Sequence, residues 1–207
     1  MGSSMGVEAG PDGRSRCWWC LDAPELLAYH DHDWGRPVHD DRTLFEMLVL
    51  ESFQSGLAWL TILRKREGFR HAFADWDIER ISTFGERDVE RLLGDAAIVR
   101  HRGKIEATIA NANAALQMRE SDETLDELLW GFAPGHGHAP APRNGREIPA
   151  RTPESIAMSK ELTRRGFRYV GPITAYSLME ATGLVDDHID GCEWRSASDL
   201  TSEPRPS

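Results

Sequence analysis

Asp95-Ala96-Ala97-Ile98-Val99-Arg100-His101-Arg102-Gly103-Lys104 is a short basic turn between two stretches of helical pattern, and what it joins decides the fold. Before it, Gly85-Glu86 opens a helix carrying Val89, Leu92 and Leu93. After it, Ile105, Ile109, Ala112 and Leu116 recur at spacings of four and three, the pattern of an amphipathic helix. A helix N-terminus presents unpaired backbone N–H groups and the positive end of its dipole, so such a turn can hold a phosphate without reading sequence. Gly103 lets the backbone approach closely, and Arg100, Arg102 and Lys104 add positive charge. A short basic turn between helices is also often only a turn, and the residues by themselves leave both readings open.

Outward from this turn the pattern stays helical. Asp41 is a candidate N-cap for a helix with Leu44, Phe45, Met47, Leu48 and Leu50. Ser55-Gly56 breaks it, and a second helix starts near Leu57 with Trp59, Leu60 and Leu63. Asp77 is placed to cap a helix from Ile78, and Thr124-x-x-Glu127 reads as a capping box before Leu128 and Trp130. Residues 133–150, rich in Pro, Gly and His, read as a long surface loop. Thr152-Pro153 starts a helix that Gly166 ends, and a last helix runs from about Pro172 to Ala181 with Gly183 after it. Strand-like alternation is nearly absent, so the expected class is all-α. Composition marks 1–15 and 195–207 as disordered tails, leaving 16–194 as the helical domain.

Bulk properties bound the function. A chain of 207 residues usually makes one domain, and 40% hydrophobic residues with seven tryptophans supply a core. No apolar run approaches a membrane span and no secretory segment opens the chain, which places it in the cytoplasm. The odd count of three cysteines argues for a reducing compartment over a disulfide scaffold. A formal net charge of -10 argues mildly against nucleic acid, but distribution matters more than the sum. Basic residues cluster at Arg64-Lys65-Arg66, Arg100–Lys104 and Arg164-Arg165 with Arg168, so a basic face on an acidic body is open.

Two groups of residues carry chemistry beyond the turn. Cys17-x-x-Cys20 near the start and His188-x-x-x-Cys192 near the finish are two half-sites for a soft metal ion such as zinc. Gathering them joins the N- and C-terminal segments, a structural task. His30, in Tyr29-His30-Asp31-His32, competes with Cys20 as the fourth ligand, and spacing alone favours Cys20. Glu51 follows an apolar helix face and precedes the Ser55-Gly56 break. It reads as a partly buried carboxylate in need of a donor or cation, or as an exposed helix-end glutamate, and the residues alone favour the second. Trp59, Tyr29 and Trp19 are core aromatics or stacking platforms for a flat ligand.

Taken together, these stretches resemble the bacterial 3-methyladenine DNA glycosylase I family. The resemblance runs from about Arg16 to Trp194 through Arg16-Cys17-Trp18-Trp19, Ala28-Tyr29-His30-Asp31, Asp33-Trp34-Gly35 and Leu44-Phe45-Glu46-Met47. It continues through Gln54-x-Gly56-Leu57-x-Trp59, Arg100-His101-Arg102-Gly103-Lys104-Ile105, Arg165-Gly166-Phe167 and Asp187-His188-x-x-Gly191-Cys192. It implies a helix-hairpin-helix fold and a structural zinc on Cys17, His30, His188 and Cys192, which leaves Cys20 out. Trp18, where the family commonly has a small residue, and Cys20 are departures from its pattern.

The resemblance also implies an activity. It is base-excision repair: hydrolysis of the N-glycosidic bond to 3-methyladenine in alkylated double-stranded DNA, by a monomer working on an extruded base. Glu51 would accept hydrogen bonds from the base edge as the catalytic and specificity-setting carboxylate. Tyr29 and Trp59 would pack on the purine and Trp19 close the pocket. Gln54 and Leu57 would fill the gap left in the duplex, and Arg100, Arg102, Gly103 and Lys104 would anchor the backbone. The superfamily's hairpin-following lysine and aspartate are both missing, which implies a glycosylase without strand cleavage. Two other classes stay open: a zinc-stabilised module that binds bent or damaged DNA without cutting, and a zinc hydrolase using His30, His32 or His188.

Overall fold

A computed structural model describes residues 5–135 and 140–195. Residues 136–139 of the expected surface loop and 196–207 of the expected C-terminal tail lie outside the described residues. The first correction comes at the N-terminus, where a tail over 1–15 was expected. There β1 (Val7–Ala9) pairs antiparallel with β2 (Ser15–Cys17), with Val7 opposite Cys17. The ribbon satisfies its own backbone, and the Asp12 carboxylate between the strands accepts from both terminal nitrogens of Arg16 at 2.6 and 2.8 Å. Among the described residues this is the only sheet; everything else regular is helical.

The chain falls into two compact units, each assembled from separated stretches. The first comprises Met1–Pro37, Pro134–Ala150 and Met179–Ser207. Its elements are the ribbon, a 3-10 turn over Trp18–Asp22 and α1 (Pro24–His32), which starts on proline where the missing N–H costs nothing. Distant stretches are stitched by backbone bonds. Gly145 N–H donates to Met5 O at 2.8 Å, Asp190 N–H to Pro142 O at 2.9 Å and Glu193 N–H to Ser15 O at 3.0 Å. The large Trp18 ring has room because Gly145 lies against it: a Cβ there would run into the indole.

The second unit, Val38–Ala133 and Arg151–Leu178, holds most of the helices. In order they are α2 (Asp41–Gln54), α3 (Trp59–Leu63), α4 (Arg66–Ala72), α5 (Ile78–Ser82), α6 (Glu86–Gly94), α7 (Arg102–Arg119), α8 (Leu125–Trp130), α9 (Pro153–Arg164) and α10 (Pro172–Ala181), whose last residues belong to the first unit. Caps fix the boundaries. Asp77 accepts from Arg80 N–H, and Thr124 with Glu127 forms the expected reciprocal box. The cap of α2 is Asp40 rather than Asp41, through Thr43 N–H at 2.9 Å. Among the described residues no helix is long and apolar enough to cross a membrane.

Two helices depart from amphipathic expectation. The α2 helix is buried at every residue from Leu44 to Phe53. Its neighbour in the hairpin, α7, buries Ile105, Ala107, Ala112, Ala114 and Met118 together with the polar Thr108 and Asn111. Its alanines are small enough to admit neighbours on several faces. Buried polar groups then need internal partners: Thr108 Oγ1–H donates to Lys104 O at 3.0 Å, and Asn111 both donates to Arg168 O and accepts Arg168 N–H.

After α4 the chain makes a left-handed turn through Ala74, Asp75 and Trp76, with φ of 54°, 54° and 61°. Each such L-residue costs roughly 1–2 kcal/mol. The turn lays Trp76 parallel to Phe73 at 5.7 Å between centroids, and Trp76 ends 1% exposed. Burial of so large a ring offsets the strain. Asp75 is exposed and carries the strain without that return. Asp75→Gly therefore raises unfolding stability by about 1 kcal/mol, read from denaturant titration; a loss of stability would mean the Asp75 side chain contributes something else.

Candidate functional site

In the first unit, Cys17 ends β2, His30 sits in the last turn of α1 and Cys192 follows the Asp186–Gly191 segment. Their ligand atoms all lie within 4.8 Å of one another, and all three residues are buried. Cys192 Sγ is 3.5 Å from His30 Nε2, and Cys17 Sγ accepts Ile189 N–H at 3.4 Å. The hydrogen bond between the two cysteines raises the Cys17 thiol and lowers that of Cys192.

The histidines are held as metal ligands are held. His30 Nδ1 lies 2.8 Å from Asp31 Oδ1, which leaves Nε2 facing Cys192. His188 Nδ1 lies 2.8 Å from Asp186 Oδ1, and its buried Nε2 has no partner among the described residues. The two imidazoles are 5.0 Å apart between centroids. A carboxylate fixing one ring nitrogen so that the other is presented is the usual support of a ligating histidine. Two soft sulfurs, one imidazole beside them and a second with an orphaned nitrogen suit a tetrahedral soft ion. Cys20 lies outside this group; it is buried in the 3-10 turn, and burial pushes its thiol up to about 12.

A further layer was not anticipated from sequence. Burial works against the Asp31 charge, but hydrogen bonds from Arg16 and His30 outweigh it and hold the carboxyl below its ordinary value. Arg16 contacts Asp31 at 2.9–3.2 Å and Asp12 on its other edge. The guanidinium groups of Arg14 and Arg16 both lie over Trp194, at 3.9 and 4.1 Å. Adjacency was the available signal: Asp31 follows His30, and Asp186 precedes His188 by two. Around the same group Trp19 is half-buried, 6.5 Å from Tyr29 and edge-on to Trp34 at 5.0 Å, and Tyr29 is buried.

The second unit holds the other predicted residues. Glu51 is on the buried stretch of α2, which overturns the exposed reading. Another glutamate on the same stretch, Glu46, accepts from Arg66 Nε at 2.7 Å. Glu51 has no hydrogen bond or ion pair from any described residue, and burial alone pushes its carboxyl up to about 8. It is thus protonated at neutral pH, unless a cation enters. Just beyond, Ser55 and Gly56 (φ 84°) turn the chain, with Leu57 N–H donating to Gln54 O at 2.7 Å. The positive φ is why glycine stands at 56. Leu57 is 39% exposed, and half-buried Trp59 opens α3.

The basic turn joins α6 to α7 as expected, but its residues divide. Arg100 is exposed; Arg102 is exposed and paired with Glu86 at 2.8 Å and Glu106 at 3.4 Å. His101, not anticipated as a cap, accepts Lys104 N–H at 3.2 Å, while the amides of Arg102 and Gly103 have no intrahelical acceptor. Gly103 faces the Tyr169 hydroxyl, where a Cβ would come within 2.7 Å. Lys104, expected to anchor the backbone, is buried rather than set out in solvent, and its Nζ donates to Phe53 O at 2.8 Å and Ser55 O at 2.7 Å.

Comparison with known proteins follows the same residues. The family model for methyladenine glycosylases matches residues 19–196. DNA-3-methyladenine glycosylase 1 of Escherichia coli is 46% identical over 177 residues, covering 86% of this chain and 95% of that protein. The crystal structure of a 3-methyladenine DNA glycosylase I superposes with a TM-score of 0.83 at 47% identity, over 86% of this chain and 98% of the other. A Staphylococcus aureus 3-methyladenine DNA glycosylase I, solved for the structural basis of 3-methyladenine recognition, superposes at 0.82 with 34% identity, over 87% and 96%.

The raised carboxyl has a stability consequence. Glu51 holds its proton more tightly folded than unfolded, so its effect opposes folding increasingly as pH climbs from its ordinary value of 4.5 towards about 8. Glu51→Gln removes that term. It is more stable than the parent at pH 7.5 by about 4 kcal/mol, with the advantage vanishing near pH 4. Melting curves across pH check this; parallel curves would mean that a donor or cation already neutralises the carboxylate.

Proposed function

The chain belongs to the methyladenine glycosylase family, and we propose that it releases 3-methyladenine from alkylated duplex DNA by hydrolysing the N-glycosidic bond. Glu51 carries this reading: a buried carboxyl without cation or donor awaits a ligand that supplies one. A 3-methylated adenine in DNA is cationic and meets that need. As it enters, its charge favours the carboxylate, and the Glu51 proton leaves to solvent.

The chemistry asks little of acid catalysis. The methylated base is already a good leaving group; water oxygen bonds to C1′, the C1′–N9 pair goes to the base, and the base departs neutral as water gives up a proton. Extruding the base costs a few kcal/mol, and the chain's residues divide that work. Trp59, on the same unit as Glu51, packs on the purine. Gln54 and Leu57 occupy the vacated stack, an exposed leucine on a tight turn being a wedge of ordinary kind. Arg100, Arg102 and the free amides at the start of α7 hold phosphate, so α6, the turn and α7 act as a helix-hairpin-helix. No lysine in this arrangement is assigned a Schiff base, and the product is an abasic site in an uncut strand. The setting is the bacterial cytoplasm and the working form a monomer.

A zinc ion bound by Cys17, His30, His188 and Cys192 would tie the first unit's separated stretches together. Its burial suits a structural ion more than one that activates water. Cys17→Ser loses bound metal and melts several kcal/mol lower, while Cys20→Ser keeps its metal. Metal analysis with melting decides it, and equal metal content in both variants would contradict the ligand set.

The functional test incubates the protein with methylated duplex DNA and identifies released bases by chromatography, with Glu51→Gln alongside. The parent releases 3-methyladenine; the folded variant does so about a hundredfold more slowly, the loss typical of one preorganised electrostatic partner. No release by the metal-loaded parent would overturn the reading.

A further inference from the structure

Resting on the glycosylase reading, we infer that Lys104 is a positioning residue: its buried ammonium locks the Gln54–Leu57 turn to the start of α7, so that the element held on phosphate also fixes the wedge.

The geometry is specific. Lys104 is 7% exposed, and its Nζ lies 2.8 Å from Phe53 O and 2.7 Å from Ser55 O. Between them, Gln54 O accepts Leu57 N–H at 2.7 Å. Three successive carbonyls at the C-terminal end of α2 are thereby committed, two of them to one cation. That end carries the helix's partial negative charge and carbonyls without intrahelical donors. An ammonium brings three donors to it.

The other end of the strut is equally fixed. Lys104 is the third residue of α7, and His101 accepts its amide N–H at 3.2 Å. Thr108 Oγ1–H bonds its carbonyl. The side chain therefore spans from the hairpin to the turn, with both ends held by hydrogen bonds.

The arrangement is costly for stability alone. No described carboxylate pairs with Lys104, and burial holds its pKa below the ordinary lysine value. A buried cation without a counter-charge is a poor way to close a helix, since a glycine cap does so without desolvating an ion. What the cation adds is rigidity across two elements. The turn needs it, because Ser55, Gly56 and Leu57 are all exposed. A wedge that shifts by about 1 Å can cost a hundredfold in rate.

The test separates positioning from general support. Lys104→Met keeps the apolar stem and removes the donors; Lys104→Arg keeps the charge. Two quantities are read on each folded, metal-loaded protein: affinity for free 3-methyladenine, from tryptophan fluorescence, and single-turnover release from methylated duplex. Lys104→Met keeps free-base affinity within about twofold and loses about tenfold or more in release, and Lys104→Arg recovers part of it. If Lys104→Met does not fold, Lys104→Gln, neutral and too short to span both carbonyls, takes its place with the same expectation. Unchanged release, or affinity and release falling together, overturns the strut. Failure of the parent to bind or release the base would instead sink the glycosylase reading.

Discussion

The burial of α2 is the constraint on which the second unit depends. With every residue from Leu44 to Phe53 inside, each ionisable group at this helix must be neutralised without water. Glu46 meets this with Arg66, and the carbonyls of Phe53 and Ser55 at the C-terminal end accept from Lys104. Glu51 meets it with a proton. Two buried glutamates one and a half turns apart thus have opposite solutions. The paired one is structural. The unpaired one is the carboxyl to which the proposed function gives the base, and the contrast in pairing distinguishes the two more sharply than burial does.

The first unit poses the same problem with sulfur and imidazole. Cys17 and His30 come from one stretch of chain and Cys192 from another far along it, and His30 is backed by a carboxylate that fixes its ring. Asp31 orients His30, Arg16 holds Asp31, and Asp12 holds Arg16 from the ribbon turn. The family match begins at residue 19, so the whole ribbon precedes it. The ribbon thus braces the donor set through Arg16 and Asp12. Gly145, far along the chain, likewise makes space for the Trp18 ring.

The boundaries of the helices were legible because caps act locally: Thr124 with Glu127, Thr152 before Pro153 and Asp77 before Ile78 each satisfy amides within one turn. The hairpin was legible for the same reason, since a break between two apolar periods has few other meanings. The left-handed turn at Ala74–Trp76 and the ribbon were not. The first runs against the preference of its residues and persists because Trp76 is buried. The second has strands of three residues, too short to show alternation.

By itself, then, the sequence determined the helical class, the turn between α6 and α7 and the family, because periodicity, capping and motif spacing are short-range or shared properties of a chain. Tertiary structure decided what each charge does. Exposure and partners depend on residues tens of positions away. Only the folded chain could turn the Lys104 ammonium inward onto two carbonyls, move Glu51 from solvent into the interior, and exclude Cys20 while gathering Cys17, His30 and Cys192.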